Sequence, residues 1–529
     1  MDKKAPSPRD ALGLDEKPTP IDGPPAMGVN EHPFDPPIPD QAMPLRFWLG
    51  LIIFIGIALR VIVLVLGPAW DVERAAGPET PRDLFLAQAM IAGKGLSHPH
   101  PIDATVAPEL ARHDRLLLNI QLTGARDTAA ELNHMPGYPV VLALLDLLKV
   151  PMAALLLAQV ALSGLLMGLC FALTRRLLDS EKAGLVAAAV VAVHPWAIVA
   201  ATGLGAHVLF ACMIVGGLWV VTATWARPWS AAVGGGMLMG LATLVKPLGL
   251  AVGPIAALCV LMREPRKGRA VALAGLILVA SLAPAALWVL RNEARSGERV
   301  LTRQGTLHEY FHTAGALAPE LAGVNPAQAL LNERQGEESL YATMARVTRG
   351  RIAEQPEEYA LLAGRRLATR VGDHGVDRLY QQLGLTWRPT GLRTSVLGHD
   401  APIWLPHGWG DRATHALAAT WMTINLLLAG LAIAGFAGLL ARRRWTALLT
   451  LAALALWLAL AWPLPAESGR LALIAVQAAV VGTLILPAAQ RVKKPKRKRK
   501  LKDRWMSDDA EDEAPRTPKL LEQPTMRPL

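Results

Sequence analysis

Ten apolar runs of roughly 17–25 residues dominate this chain, and each is long enough to cross a hydrocarbon core about 30 Å thick as a helix. They lie at 46–68, 152–174, 183–201, 206–225, 230–246, 248–263, 269–290, 415–440, 445–463 and 470–488. Inside a bilayer every backbone N–H and C=O must be satisfied internally, which leaves helices as the way such runs can fold. A soluble protein of 529 residues would distribute its apolar residues in amphipathic patterns. Here 52% of the residues are hydrophobic and come in blocks, with the charges gathered between them. The sequence therefore predicts an all-α polytopic membrane protein with about ten transmembrane helices.

The basic residues set the expected orientation. With the N-terminus in the cytoplasm, the inside connections read "TRRLLDSEK", "WARPWS", "REPRKGR", "ARRRW" and "QRVKKPKRKRK". Short cytoplasmic loops rich in Lys and Arg are what the positive-inside rule requires. The formal net charge of +11 is thus a matter of position. The basic stretch at 491–502 reads as a topology anchor that meets anionic head groups of the lipid bilayer, and no nucleic-acid partner is expected.

This topology divides the chain into a Pro-rich, disordered cytoplasmic tail (1–45), seven spans (46–290) that include an outer loop at 69–151, an outer helical segment (291–414), three further spans (415–488), and a basic then acidic tail (489–529). Both termini lie in the cytoplasm. The stretch "PGYPVVLALLDLLKV" at 136–150 carries Asp146 and Lys149 and is too short to span, so it is expected to lie along the membrane surface. The later stretch "SLYATMARVTRGRIAEQPEEYALLAGRRLATRVGDHG" reads as two amphipathic helices broken near Pro356. Amphipathic helices are thus expected in the first and fourth outer loops. Cys170, Cys212 and Cys259 fall inside apolar runs without ligand spacing. No CxxC or DxD pattern marks a metal site, and the reading requires no cofactor.

The charges at the outer ends of the spans carry the functional argument. Lys246 ends the fifth span in "GLATLVKPLGLAV", Arg291 and Asn292 end the seventh, and Arg470 opens the last in "WPLPAESGRLALIA". Each could be a long side chain snorkelling to the interface, but ionisable groups at membrane depth point by default to a pathway or a site. The first outer loop adds "GPETPRDLFLAQAMIAGKG" with Glu79, Arg82, Asp83 and Lys94. Cations at a membrane boundary suit a lipid phosphate whose tail lies in the bilayer. Carboxylates beside them suit activation of a hydroxyl. The combination describes group transfer from a lipid-phosphate donor.

In order along the chain, "LFLAQAMIAGKGLS", "NHMPGYPVVLALL", "GLCFALTRRLL", "VVAVHPWAIVAATG", "GLATLVKPLGL", "WVLRNEARSGERVL" and "AESGRLALIAVQ" resemble the GT-C superfamily of membrane glycosyltransferases. More narrowly they resemble the glycosyltransferase family 39-like group, which includes aminoarabinose transferases of lipid A and protein O-mannosyltransferases. The resemblance implies a GT-C-like fold, a polyprenyl-phosphate-linked sugar as donor, an active site on the outer (periplasmic) face of a bacterial inner membrane, and an inverting displacement at the anomeric carbon. It places Glu79 at the acidic position of the first outer loop, with Asp71 (or Glu73) and Asp83 as alternatives for the base. It places Lys246 and Arg470 at the donor phosphate, with His134 at a basic position that precedes the Pro-containing helix. Where members carry a carboxylate at the start of the fourth span, this chain has His207. The acceptor is a lipid, a glycan or a protein. A transporter or flippase of lipid-linked sugars and a non-catalytic assembly partner are the competing readings. Transporters usually show internal repeats and midplane breaks, whereas here the charge gathers at one boundary.

Overall fold

The computed structural model describes residues 45–67, 80–93, 95–98, 129–130, 132–223, 227–317, 330, 332–336, 338–372, 375, 378–379, 382–383, 409–460 and 470–485. It is almost wholly helical, and the single sheet among the described residues pairs Ser97–His98 with Ala129–Ala130. Residues up to Phe47 contribute to it only the first turn of the first helix.

Five helices are long and apolar enough to cross a membrane: Leu45–Leu66 (α1), Met152–Leu178, Pro228–Val245, Lys267–Ser296 and the Ala419–Ala441 part of the helix Trp409–Ala441. The pair Glu181–Val193 and Pro195–Thr202, bent by 61°, makes a sixth. With His207–Thr222, Pro247–Arg263, Trp445–Leu458 and Arg470–Leu484, these helices fall on the ten apolar runs. The protein is an all-α polytopic membrane protein.

In chain order the other helices are Thr80–Ile91 (α2), Gly137–Leu147 (α3), Met152–Leu178 (α4), Glu181–Val193 (α5), Pro195–Thr202 (α6), His207–Ala223 (α7), Pro228–Val245 (α8), Val252–Arg263 (α9), Lys267–Ser296 (α10), Gln304–His308 (α11), Leu340–Glu354 (α12), Pro356–Gly372 (α13), Trp409–Ala441 (α14), Trp445–Leu460 (α15) and Arg470–Val481 (α16). The pair α12 and α13 meets at Gln355, directly before Pro356, because the residue ahead of a proline is driven out of helical geometry. The helix on 136–150 forms at Gly137–Leu147. All three cysteines are buried against protein.

The third run does not continue as one helix. Pro195 lacks the N–H that α5 would need, so the helix stops at Val193 and a second starts. His194 accepts from Trp196 N through Nδ1 and so caps the new helix. The ring therefore carries its proton on Nε2, which reaches Asn425 Oδ1 of α14 at 3.0 Å. The carbonyls left over at the end of α5 go to Arg60 of α1. Its guanidinium donates to Ala192 O (2.8 Å), Val191 O (3.0 Å) and Gly56 O (2.7 Å), and the residue is wholly buried.

The basic end of the bundle shows the same chemistry. Arginines there meet carbonyls at the ends of α4 and α7 and in the 3-10 turn Gly482–Ile485 that follows α16. Arg176 donates to Thr222 O at 3.0 Å, Arg442 to Thr483 O at 2.8 Å, and Arg444 to Leu178 O. Cations at helix C-termini satisfy orphan carbonyls and oppose the negative end of the dipole. Elsewhere α8 lies close on α10, because Gly236 and Gly240 sit where a Cβ would come within 2.8 Å of Ala280 Cβ and 2.7 Å of Ser281 O. Small residues four apart let helix backbones approach in this way.

Candidate active site

At the end of the bundle opposite those arginines, charged residues from separate parts of the chain come together. Asp83 lies in the first turn of α2, where the helix N-terminus favours a carboxylate. Its Oδ1 is 2.9 Å from His134 Nε2, and both side chains are largely shielded from solvent. His134 belongs to the bends at Asn133–Pro136 that lead into α3. One turn into α3, Tyr138 is buried, and its phenol is held well above the usual range by burial and then by the charge of Asp83. The backbone of Gly205 and the side chain of Gln159 act on it in the opposite direction.

Two contacts fix this group against the bundle. Thr80 Oγ1 donates to Leu204 O at 2.5 Å, tying the start of α2 to the turn between α6 and α7. Gly137 opens α3 against the last turn of α8, where a Cβ would stand 2.8 Å from Leu244 C and O and from Val245 N. That same last turn delivers Lys246. Ahead of Pro247 the backbone of Lys246 is extended, with its N–H still bonded to Ala242 O, and the residue is buried. The bend bearing His134 and the helix end bearing Lys246 are therefore neighbours through Gly137.

The turn at 203–206 links this group to a second one. His207 starts α7, and its ring meets Trp196 of α6 edge-on, with centroids 6.1 Å apart at 65°. Trp196 is fully buried and is the platform for two guanidiniums. Arg470, the first residue of α16, lies 4.9 Å from the ring centroid, and Arg378 lies 5.2 Å from it. Arg470 itself is buried, an arrangement that a cation–π contact supports once water is excluded.

Arg291 plays another part. It donates to Leu96 O at 2.8 Å and to Asn292 Oδ1, and its guanidinium stacks on Trp288. Asn292 in turn holds Val300 O at 2.9 Å. These contacts fasten loop backbone to the end of α10. Asn133 continues the fastening. Its carbonyl accepts from Thr302 Oγ1 and its side chain from Tyr341, while Arg303 N donates to Leu132 O. The loop segment after α10 is thus seated on the bend that carries His134. Its own small core is Leu307, Tyr310, Ala314, Leu330, Met344 and Val347.

Of the residues singled out from the sequence, Asp83 and His134 are in direct contact, Lys246 adjoins them through Gly137 and Leu244, and His207 and Arg470 meet at Trp196. Glu79, Asp71 and Glu73 lie outside the described residues. Sequence reasoning gave no role to Trp196, Arg378, His194 or Arg60. For Arg60 the signal was present, a single arginine inside an otherwise apolar first run. Trp196 sat within a quoted motif. Arg378 lies in a stretch with no periodicity to mark it. No group of three or more His, Cys, Asp or Glu side chains among the described residues is arranged to hold a metal ion.

The fold and this end of it define a polytopic membrane protein with a buried cluster of cations and a carboxylate at one boundary of the bundle. Searches for relatives in sequence find no matching family model and no matching curated protein. Three solved structures of an oligosaccharyltransferase from Archaeoglobus fulgidus are similar in part. The apo form matches with a TM-score of 0.43 at 17% identity, over 82% of this chain and 50% of that one. The form with zinc and sulfate gives 0.41 at 16%, and the complex of this oligosaccharyltransferase, AglB, with an inhibitory peptide and a dolichol-phosphate gives 0.41 at 15%. The chain spans about half the length of these structures.

Proposed function

We propose that this protein is a membrane glycosyltransferase of the GT-C type, moving a sugar from a polyprenyl-phosphate donor to a hydroxyl acceptor on the outer face of a bacterial inner membrane. The observation that carries this reading is the gathering of Asp83, His134, Lys246 and Arg470 at one end of an apolar bundle, where a lipid phosphate can enter from the bilayer while an acceptor arrives from water. The order of the sequence motifs supports it independently.

In the proposed reaction a carboxylate of the first loop takes the proton of the acceptor hydroxyl. Glu79 is the first choice, with Asp71 and Asp83 as alternatives. The acceptor oxygen bonds to the anomeric carbon as the bond from that carbon to the phosphate oxygen breaks, which inverts the centre. The electron pair leaves with the phosphate, whose charge grows at that moment. Lys246 and Arg470 are the groups that meet it, and fixed cations in a dry site lower the barrier without having to reorganise. His134, held by Asp83 at Nε2, adds a donor at Nδ1 when the ring is protonated. His207, at the position of a family carboxylate, is assigned to hydrogen-bond the acceptor. This assignment makes no use of a metal.

The test uses purified full-length protein in proteoliposomes with radiolabelled polyprenyl-phosphate sugar and lipid, glycan and peptide acceptors. Transfer by the wild type, lost in Glu79→Ala and Lys246→Ala, is the expected result. Absence of transfer to every acceptor would remove the enzyme reading. The broken helix at His194–Pro195 is the one observation that favours a lipid-linked sugar transporter instead. Movement of the same lipid across protein-containing vesicles without sugar transfer would select it.

A further inference from the structure

Tyr138 and Gln159 leave polar atoms unmet beside the Asp83–His134 pair. Tyr138 sits at the start of α3, and Gln159 lies two turns into α4, in the otherwise apolar stretch 152–162. Each is 4% exposed. The phenol oxygen of Tyr138 and both polar atoms of the Gln159 amide are shut off from solvent, and none has a hydrogen-bond partner among the described residues. The amide and the backbone of Gly205 are nonetheless near enough to act on the phenol, and so is the charge of Asp83. Three polar atoms from two helices thus lie together, next to the turn at 203–206.

Buried polar groups in folded proteins are almost always hydrogen-bonded. Several left over in one place, beside a candidate site, point to a ligand group that completes them. What the three atoms offer defines that group. A phenol both donates and accepts, and a carboxamide holds a donor and an acceptor side by side. Neighbouring hydroxyls on a sugar ring present the same combination and match a carboxamide in two parallel hydrogen bonds. None of the three atoms carries charge, and burial keeps the phenol neutral, so the match is to a neutral polyol rather than to an anion. On its opposite side α3 exposes Val140, Leu144 and Leu147. It is a surface helix, and a shift of this one element opens the pair to the site.

We propose that Tyr138 and Gln159 bind neighbouring hydroxyls of the sugar on the lipid donor, and so help to choose which sugar is transferred. This role rests on the glycosyltransferase reading and adds to it two residues that tell one sugar from another.

The test compares binding of undecaprenyl phosphate, bare or carrying one of a panel of hexoses and pentoses, to the full-length protein in detergent. Wild type is expected to bind at least one sugar-bearing lipid more tightly than the bare one. Tyr138→Phe and Gln159→Met keep the shape and remove the polar atoms. Each is expected to reduce that preference by roughly 3- to 10-fold, the effect of one neutral hydrogen bond, and to leave affinity for the bare lipid unchanged. Should one variant fail to fold, the other carries the same expectation. A donor lacking the recognised hydroxyl should cost wild type a similar factor and the variants little more, because the two changes remove the same contact. Equal weakening of bare and sugar-bearing lipid in the variants would mark a packing role and overturn sugar recognition. An unchanged preference would mean that the three atoms hold a buried water only, and a wild type that binds both kinds of lipid alike would overturn the role as well. All three results leave the glycosyltransferase reading standing. A wild type that binds neither kind of lipid would overturn both.

Discussion

Asp83 Oδ1 lies 2.9 Å from His134 Nε2, and this contact joins the first turn of one helix to the bend that begins the next. Removing one partner of a shielded pair leaves the other uncompensated, which is costlier than losing both. Asp83→Asn and His134→Gln are each expected to lower sugar transfer by roughly 10- to 100-fold, as the loss of a hydrogen bond to a charged group does. The double variant should fall little further, because the two act as a unit. A double-mutant cycle on transfer rate checks this, and independent, additive losses would contradict it.

Gly137 offers a test of how the site is assembled. A methyl group there meets backbone atoms of Leu244 and Val245 at 2.8 Å, and backbone cannot swing aside as a side chain can. Gly137→Ala is expected to destabilise the protein by about 1–3 kcal/mol. It should also depress transfer more than stability, since it moves the His134 bend away from Lys246. Thermal unfolding in detergent and transfer kinetics on the same preparation separate the two effects.

The pH dependence of stability has a contributor in the π-helical turn Glu309–Ala314. Partial burial raises the Glu309 carboxyl above its ordinary value near 4.5, against the opposing charge of Arg349. The folded state then binds this proton more tightly than the unfolded one. Stability falls as pH rises from about 4.5 through the folded-state value. Glu309→Gln is expected to unfold at a higher temperature than wild type at neutral pH, with the difference vanishing below pH 4.5. A constant difference across this range would rule out ionisation as its cause.

His194 caps α6 through Nδ1 and reaches Asn425 through Nε2. Losing such a cap costs about 0.5–2 kcal/mol. His194→Ala should pay that cost and loosen Trp196 as well, whereas His194→Asn, able to cap but too short for Asn425, should retain part of the stability. Quenching of tryptophan fluorescence by acrylamide is too crowded a signal with 15 tryptophans, so a Trp196→Phe background serves as the subtraction.

The spans were legible because burial in lipid demands continuous apolar runs, and hydropathy reads those directly. The two amphipathic helices were legible for the same reason, through Pro356 and the spacing around it. Hydropathy does not see a break, however. The run 183–201 is apolar on both sides of His194–Pro195, and only the loss of the proline N–H ends the helix there. The site was half legible. Lys246 and Arg470 stood out as charges at span ends and Asp83 as a charge of the first outer loop, while His134 and His207 were picked out only through the resemblance to the GT-C group. That Asp83 would pair with His134, and that Arg470 and Arg378 would both meet Trp196, depends on packing between segments remote in sequence, which no local pattern encodes.

Arg60 has a consequence for how the chain is made. An arginine at the centre of an inserting helix costs about 2.5–3.5 kcal/mol. The carbonyls that later receive it, at Val191 and Ala192, lie 131 and 132 residues downstream. At synthesis rates of about 5–20 residues per second, they emerge on the order of ten seconds after Arg60 does. Until then the first span must hold the arginine in the membrane on the strength of its other residues, and its mean hydropathy of 3.0 is the highest of the five long spans. The most apolar of the five long spans is the one that has to wait for its partner.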